Sequence, residues 1–218
     1  MDRWNLNNQS AKERMIREHL MGRGIRDPRV LSAMREVPRE SFLPDEMHAF
    51  AYDDSPLPIA AGQTISQPYI VAFMIEALEL EGGERVLEIG TGSGYAAAVL
   101  SRCAAQVYTV ERIAVLAQAA RSRLEEFGYA NVTVHLGDGT LGWREQAPYQ
   151  GIVVTAGAPE VPGALLEQLA PGGRLVIPVG ATQQLQNLVR VRRIGEGEYR
   201  REDLGAVRFV PLIGEQGW

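Results

Sequence analysis

Three acidic residues fall at or near the ends of three successive apolar runs, and their neighbours suit them to hold a small polar ligand. Glu88 follows Val86-Leu87 and stands two residues before the glycines of Gly90-Thr91-Gly92-Ser93-Gly94-Tyr95. Glu111 closes Gln106-Val107-Tyr108-Thr109-Val110, and Asp138 sits in Gly137-Asp138-Gly139 after Val132-Thr133-Val134-His135-Leu136. Strand, glycine turn and helix, in that order, form the layout of a nucleotide site over the carboxyl end of a strand. Glycines are needed because a Cβ would block the ligand and because parts of such a turn take positive φ.

The acids narrow the choice of ligand. The dinucleotide pattern G-x-G-x-x-G fits Gly90 and Gly92 but places its third glycine on Tyr95, where it fails. Glu88 puts a carboxylate under the turn, which repels a pyrophosphate and suits an ammonium. Glu111, about 20 residues beyond the turn, is spaced to hold ribose hydroxyls. Asp138 lies between glycines that let a ring approach and can accept from an adenine amino group. Singly these are a glycine-rich turn, a solvated charge and an ordinary Gly-Asp-Gly turn. Three acids at three successive strand ends are harder to explain that way. S-adenosylmethionine (AdoMet) has an α-ammonium and no phosphate, and the loop resembles the glycine motif of the class I methyltransferases.

The elements around these residues agree with that fold. Residues 10–37 read as two helices. Met15, Ile16, His19 and Leu20 share a face of the first, which stops near Gly22 and Gly24. Asp27-Pro28 opens the second as cap and first-turn proline, with Val30, Leu31 and Met34 inward. Residues 38–65 are rich in proline and glycine, aperiodic, and long for a passive connection. A helix from Pro68 turns Ile70, Phe73, Met74, Ala77 and Leu78 inward. Further helices are expected at 96–102, 114–127 (closed by Gly128) and 163–169. A fourth strand spans 152–155. Pro171-Gly172-Gly173 turns into a fifth at 174–177, and a C-terminal hairpin runs out through 188–191 and back through 207–210. The expected fold is α/β: a doubly wound, mostly parallel Rossmann-like sheet with an antiparallel C-terminal hairpin and added N-terminal helices. The 218 residues fit one domain. We divide it into N-terminal helices and substrate loop (1–80), AdoMet-binding core (81–180) and hairpin (181–218).

Composition excludes several classes. The net charge of −5 offers no basic field for nucleic acid. No apolar stretch approaches the ~18 residues of a membrane span, and residues 1–12 are too polar for a signal peptide. Cys103 is single, and His19, His48 and His135 have no metal-ligand spacing, so no metal is expected. The default compartment is the cytoplasm, and the expected state is a monomer.

The N-terminal half is the more specific. Ala51-Tyr52-Asp53-Asp54, Leu57-Pro58-Ile59 and Gly62-Gln63-Thr64-Ile65-Ser66-Gln67-Pro68-Tyr69 closely resemble the protein-L-isoaspartate O-methyltransferase family. The agreement continues in order through the glycine turn, Val110-Glu111-Arg112, Gly137-Asp138-Gly139 and Val207-Arg208-Phe209-Val210-Pro211-Leu212. Asp54-Ser55 and Ala60-Ala61 depart from its commoner choices. The resemblance implies AdoMet as cofactor, S-adenosyl-L-homocysteine (AdoHcy) as product, and isoaspartyl peptides and damaged proteins as substrates. The α-carboxylate of an L-isoaspartyl residue is methylated, and the ester recloses to a succinimide that hydrolyses in part to aspartate. The cofactor set is then Glu88, Gly90, Thr91, Gly92, Ser93, Gly94, Glu111, Arg112, Gly137, Asp138 and Gly139. The substrate set is Ile59, Thr64, Ile65, Gln67, Val210 and Pro211, and the active-site position is Ser66.

A carboxylate with a reference pKa near ~4 is already ionised at pH 7, so no general base is needed. Ser66 is expected to hydrogen-bond and orient the substrate carboxylate. Ser-x-Pro at a helix start is also what a helix cap looks like, and both roles can hold at once. The alternative to a repair enzyme is a methyltransferase-fold protein that binds AdoMet without isoaspartyl activity. An RNA or small-molecule methyltransferase lacks support, since Thr155-Ala156-Gly157-Ala158 stands where an amine site would follow the fourth strand.

Overall fold

In a computed structural model the chain is described from Arg3 to Trp218, with side chains from Asn8 onward; Met1 and Asp2, part of the polar opening segment, lie outside the described residues. Helix α1 (Arg3–Arg14) runs directly into a π-helical turn, Met15–Leu20, and a 3₁₀ turn, Met21–Arg23, ending at Gly24 with φ of 104°. The helix begins at Arg3 rather than at residue 10, a start that the sequence does not mark because α1 is polar and shows no apolar period. Met15, Ile16 and Leu20 are buried as expected, whereas His19 is only half-buried. Asp27 caps α2 (Pro28–Glu36) by accepting from the Arg29 and Val30 amides. Helix α3 (Pro68–Ala77) turns Val71, Met74 and Ile75 inward, with Leu78 just beyond it; Ile70 and Phe73 are only partly covered. Glu76 is the one charged residue of α3, so apolar spacing could not identify its inner face.

The segment between α2 and α3 is held by polar ties. Arg39 is fully buried and donates from Nε to the Ala51 carbonyl at 2.8 Å, its guanidinium 5.0 Å from the Tyr95 ring centroid. The Tyr52 hydroxyl donates to Glu40. Two short strands, β1 (Leu57–Pro58) and β2 (Thr64–Ile65), pair antiparallel.

The main sheet has seven strands: β3 (Arg85–Ile89), β4 (Gln106–Glu111), β5 (Val132–Leu136), β6 (Tyr149–Val154), β7 (Leu169–Thr182), β8 (Leu185–Gly195) and β9 (Glu198–Val207). Their order is β5-β4-β3-β6-β7-β8-β9, parallel through β7 and antiparallel thereafter. The chain steps from β3 outward to β5 and returns to place β6 beside β3. The crevice over β3 and β6 is therefore the switch point where open α/β sheets bind ligands. Apolar clusters cover both faces of the sheet, around α4 (Tyr95–Ser101) and the N-terminal helices on one side and around α6 (Gly163–Glu167) on the other. Helix α5 (Ala114–Glu126) ends at Gly128, in left-handed conformation.

Two expectations need correction. Pro171-Gly172-Gly173 is not a turn between elements: β7 already begins at Leu169, and the register jumps from Tyr149↔Leu169 to Gly151↔Arg174, so these residues form a bulge within the strand. The helix before it is correspondingly short. The returning strand of the hairpin stops at Val207, where Gln186 takes the Phe209 amide on its side chain at 2.8 Å and ends the ladder. Val210 and Leu212 instead bond Gly157, beyond the end of β6: the Gly157 amide donates to the Val210 carbonyl at 2.8 Å, and the Leu212 amide donates to the Gly157 carbonyl at 2.7 Å.

Candidate active site

The turn between β3 and α4 is shaped by what stands behind it. Gly90 has φ of 96°, and a Cβ there would lie 2.3 Å from the Thr155 hydroxyl oxygen. That hydroxyl lies 3.0 and 2.9 Å from the Ile89 and Gly90 carbonyls, to which it donates, and so locks the end of β3 to the end of β6. Glu111 braces the turn from β4: its carboxylate accepts from the Gly92 and Ile113 amides, both at 2.9 Å.

Glu88 is fully buried. Its Oε2 accepts from the Thr109 hydroxyl at 2.5 Å, and Thr109 Oγ1 lies 2.6 Å from Thr91 Oγ1. Its Oε1 has no partner. Burial holds the Glu88 carboxyl well above the usual range, at about 8, with the Thr109 bond opposing and the Glu111 charge reinforcing. A buried oxygen left unbonded costs free energy until something donates to it.

A cavity of about 1230 Å³ opens over the switch point. One small-molecule ligand occupies ~300–1000 Å³, so there is room for a nucleoside and a stretch of peptide together. Gly90, Thr91, Gly92, Ser93, Glu111, Arg112 and Gly139 form one side, while Thr64, Ile65, Ser66, Gln67, Val210 and Pro211 form the other. Gly139 is needed because Ile89 would stand 2.3 Å from a Cβ. Five residues from the sequence analysis do not line the cavity. Glu88 lies behind it. Ile59 roofs the turn, 3.6 Å from where a Cβ of Gly92 would stand, while Gly94 packs on Ala120 and Leu124, and Gly137 on the His135 ring.

Asp138 is the fifth, and the chain itself uses its carboxylate. Oδ1 accepts from the Thr140 amide at 2.9 Å and hydroxyl at 2.7 Å, and Oδ2 accepts from the Glu215 amide at 2.8 Å. Burial pushes its pKa up, but the bonds from Glu215 and Thr140 outweigh it and hold the carboxyl below its ordinary value. A carboxylate has about four acceptor sites, so one remains on Oδ2 for a further donor. The tail from Gly214 to Trp218 is thereby fastened beside the cavity, with the Trp218 indole donating to the Gly157 carbonyl at 2.9 Å.

Ser66 does not cap α3. The cap position is Gln67, which makes no side-chain capping bond; Asp54 accepts from the Tyr69 amide instead, at 3.3 Å. Gln67 is tied to Asp54 as well, its amide nitrogen 2.8 Å from Oδ2, and Arg23 pairs with the same carboxylate at 2.7 Å. Ser66 lines the cavity, and no hydrogen bond within the described residues occupies its hydroxyl. Sequence reasoning missed Asp54 as the hub of this loop, although its departure from the commoner residue was a signal. It also missed Thr155, which the switch-point rule could have found. The hairpin tip 183–185 and Arg23 complete the cavity without any local motif, together with Arg208 and Phe209 of the C-terminal run.

A glycine turn at the switch point, braced by an acid from the next strand and backed by a buried carboxyl with one unbonded oxygen, fits AdoMet: the cradle admits no Cβ at Gly90 or Gly139, and Glu88 Oε1 has no donor. Fold and site together define a class I AdoMet-dependent methyltransferase. The profile of the Protein-L-isoaspartate(D-aspartate) O-methyltransferase (PCMT) family matches residues 9–217, and the chain belongs to that family. Protein-L-isoaspartate O-methyltransferase 2 of Pelobacter propionicus is 67% identical over 212 residues, 97% of this chain and 94% of its own length. Protein-L-isoaspartate O-methyltransferase of Rhodopseudomonas palustris is 61% identical over 204 residues, 94% of each chain. Among solved structures, a protein-L-isoaspartate O-methyltransferase superposes with TM-score 0.86 at 32% identity, over 94% of this chain and 67% of its own. A Plasmodium falciparum protein solved with S-adenosyl-L-homocysteine gives TM-score 0.77 at 25% identity, over 94% of this chain and 98% of its own.

Proposed function

We propose that this chain is a protein repair enzyme: it methylates the α-carboxylate of L-isoaspartyl residues in peptides and damaged proteins, allowing return to aspartate through a succinimide. Residues 1–218 act as one methyltransferase domain, with 1–80 supplying the substrate loop, 81–180 the cofactor core and 181–218 the hairpin wall. AdoMet, when bound, supplies an electrophilic methyl group on a sulfonium. Glu111 and Glu88 are suited to hold its ribose and ammonium ends, and the spare acceptor site of Asp138 its adenine amine.

One observation carries the catalytic assignment: Ser66, whose hydroxyl bonds nothing among the described residues, lines the same cavity as the glycine turn. A substrate carboxylate is ionised at neutral pH, so the protein needs to place it rather than deprotonate it. Ser66 donates one hydrogen bond to the carboxylate and fixes its direction without the neutralisation that an arginine clamp would impose. The loop 62–67 and the Val210–Pro211 wall exclude water from the approach, and fixing distance and angle supplies most of the rate. The alternative, a binder without repair activity, has no observation in its favour.

Incubation with methyl-labelled AdoMet and a matched pair of peptides, isoaspartyl and aspartyl, tests the reading. Base-labile label on the isoaspartyl peptide alone is expected. Equal labelling of both, or none, would refute it.

A further inference from the structure

Glu88, Thr109 and Thr91 form a continuous chain from the interior to the cavity. Glu88 and Thr109 face each other across the β3–β4 pair, both fully buried, and Thr91 reaches the cavity wall. The spacings of 2.5 and 2.6 Å leave no room for anything between the three oxygens.

Each hydroxyl has one proton to donate, so the direction of the chain is set at its buried end. With Glu88 ionised, Thr109 donates to Oε2, Thr91 donates to Thr109, and Thr91 turns only lone pairs toward the cavity. With a proton on Oε2 the order reverses, and Thr91 points its own O–H outward. The first arrangement attracts a cation and the second repels one. Oε1, buried and unpartnered, is a second acceptor on the same carboxyl group.

We propose that this hydroxyl relay ties the ionisation of Glu88 to the arrival of the cofactor's ammonium, with Thr109 as the positioning residue. The inference rests on the AdoMet reading and deepens it. Among the described residues Glu111, on β4, is the one charged group acting on Glu88, and across the β6 pair stands Val153. With its pKa held at about 8, Glu88 carries a proton at pH 7 before the cofactor binds. When the ammonium arrives, the Glu88 O–H bond breaks, the electron pair stays on the carboxylate and the proton passes to the buffer. Binding therefore releases a proton below that pKa, and affinity rises with pH until about 8.

Calorimetric titration of the intact protein with AdoHcy, in two buffers of different ionisation enthalpy at pH 7, reads the released proton directly. Wild type should release about one proton more than Glu88→Gln, the subtraction cancelling any titration of the ligand's own amine. Thr109→Val, close in shape but without the hydroxyl, should bind AdoHcy about ten-fold more weakly with a reduced release, a loss equivalent to roughly one pKa unit. Thr109→Ser should restore both. Should Glu88→Gln fail to fold, wild type against Thr109→Val and Thr109→Ser makes the same comparison. Equal release from wild type and Glu88→Gln, or from wild type and Thr109→Val with unchanged affinity, would overturn the relay and leave the cofactor reading standing. No AdoHcy binding to wild type would overturn the cofactor reading and the relay with it.

Discussion

The two sides of the cavity are built in opposite ways. The side proposed for the cofactor comes from short stretches at or just past strand ends: 89–93 after β3, 110–113 at β4 and Gly139 after β5. Its positions are imposed by ladder hydrogen bonds, and its side chains mostly face inward to brace the turn. The side proposed for the substrate joins segments far apart in sequence, 62–67, 183–185 and 206–213. These are held by individual polar ties: Asp54 to Gln67 and Tyr69, Gln186 to Phe209, and Gly157 to Val210 and Leu212. A nucleoside of fixed shape can be met by a fixed backbone. A damaged peptide varies in its side chains, and walls secured by separable ties suit it better.

The difference sets an order of sensitivity. Gly90→Ala should have the largest effect, since it combines φ of 96° with a Cβ 2.3 Å from Thr155 Oγ1. Strain and clash together cost about 2–4 kcal/mol, readable as a lowered urea midpoint, and AdoHcy binding should be lost. Gly62→Ala, on the substrate side, has φ of 66° but open space around its Cβ, and should cost about 1 kcal/mol. Equal costs at the two sites would break the contrast.

Glu111→Ala comes next. It frees the Gly92 and Ile113 amides and removes the expected ribose acceptor. With charge-assisted bonds worth about 1.5–3 kcal/mol, AdoHcy affinity should fall roughly 10- to 100-fold by calorimetry. An effect seen only on peptide binding would remove Glu111 from the cofactor side.

The same contrast explains what could be read from the chain. The elements of the proposed cofactor side were legible because they are local: Glu88, Glu111 and Asp138 each sit at or beside a strand end, although only Glu111 of the three lines the cavity, and β3, β4 and β5 lie within a residue of where their apolar runs place them. The capping of α2 by Asp27 was legible for the same reason. The capping of α3 was not, because Asp54 reaches Tyr69 from a loop 15 residues away and leaves Ser66, the local candidate, unbonded. The use of Asp138 by the tail was equally hidden, since Glu215 lies 77 residues further along. The path of Val210 past the hairpin depends on Gln186, whose side chain replaces a ladder bond.

Ser66→Ala separates chemistry from folding. Because its hydroxyl bonds nothing in the described structure, the melting temperature should stay within about 1 °C of wild type, as for a neutral surface change. Removing one positioning bond to a carboxylate should lower kcat/KM for isoaspartyl peptide about ten- to hundred-fold, or 1–3 kcal/mol, with AdoHcy affinity unchanged. A fall in melting temperature with unchanged turnover would return Ser66 to a structural role.

The smallest effect should come from the hairpin tip. Leu185 is 65% exposed, lies at the turn into β8 beside Gln183 and Gln184, and borders the substrate side. An exposed leucine there offers apolar contact to any neighbouring side chain but no shaped pocket for a particular one. Recognition of isoaspartate in many contexts instead calls for main-chain hydrogen bonds to an extended peptide, with the flanking side chains left largely unread. Leu185→Ser should therefore raise KM by about two- to three-fold, the worth of part of one apolar contact, and by a similar factor across peptides whose flanks differ. Steady-state kinetics on a panel with the isoaspartyl bond held constant makes the measurement. A loss of more than about ten-fold, confined to peptides with one kind of neighbour, would show that the tip selects sequence. The substrate side would then be as rigidly specified as the cofactor side, and the contrast between them would fail.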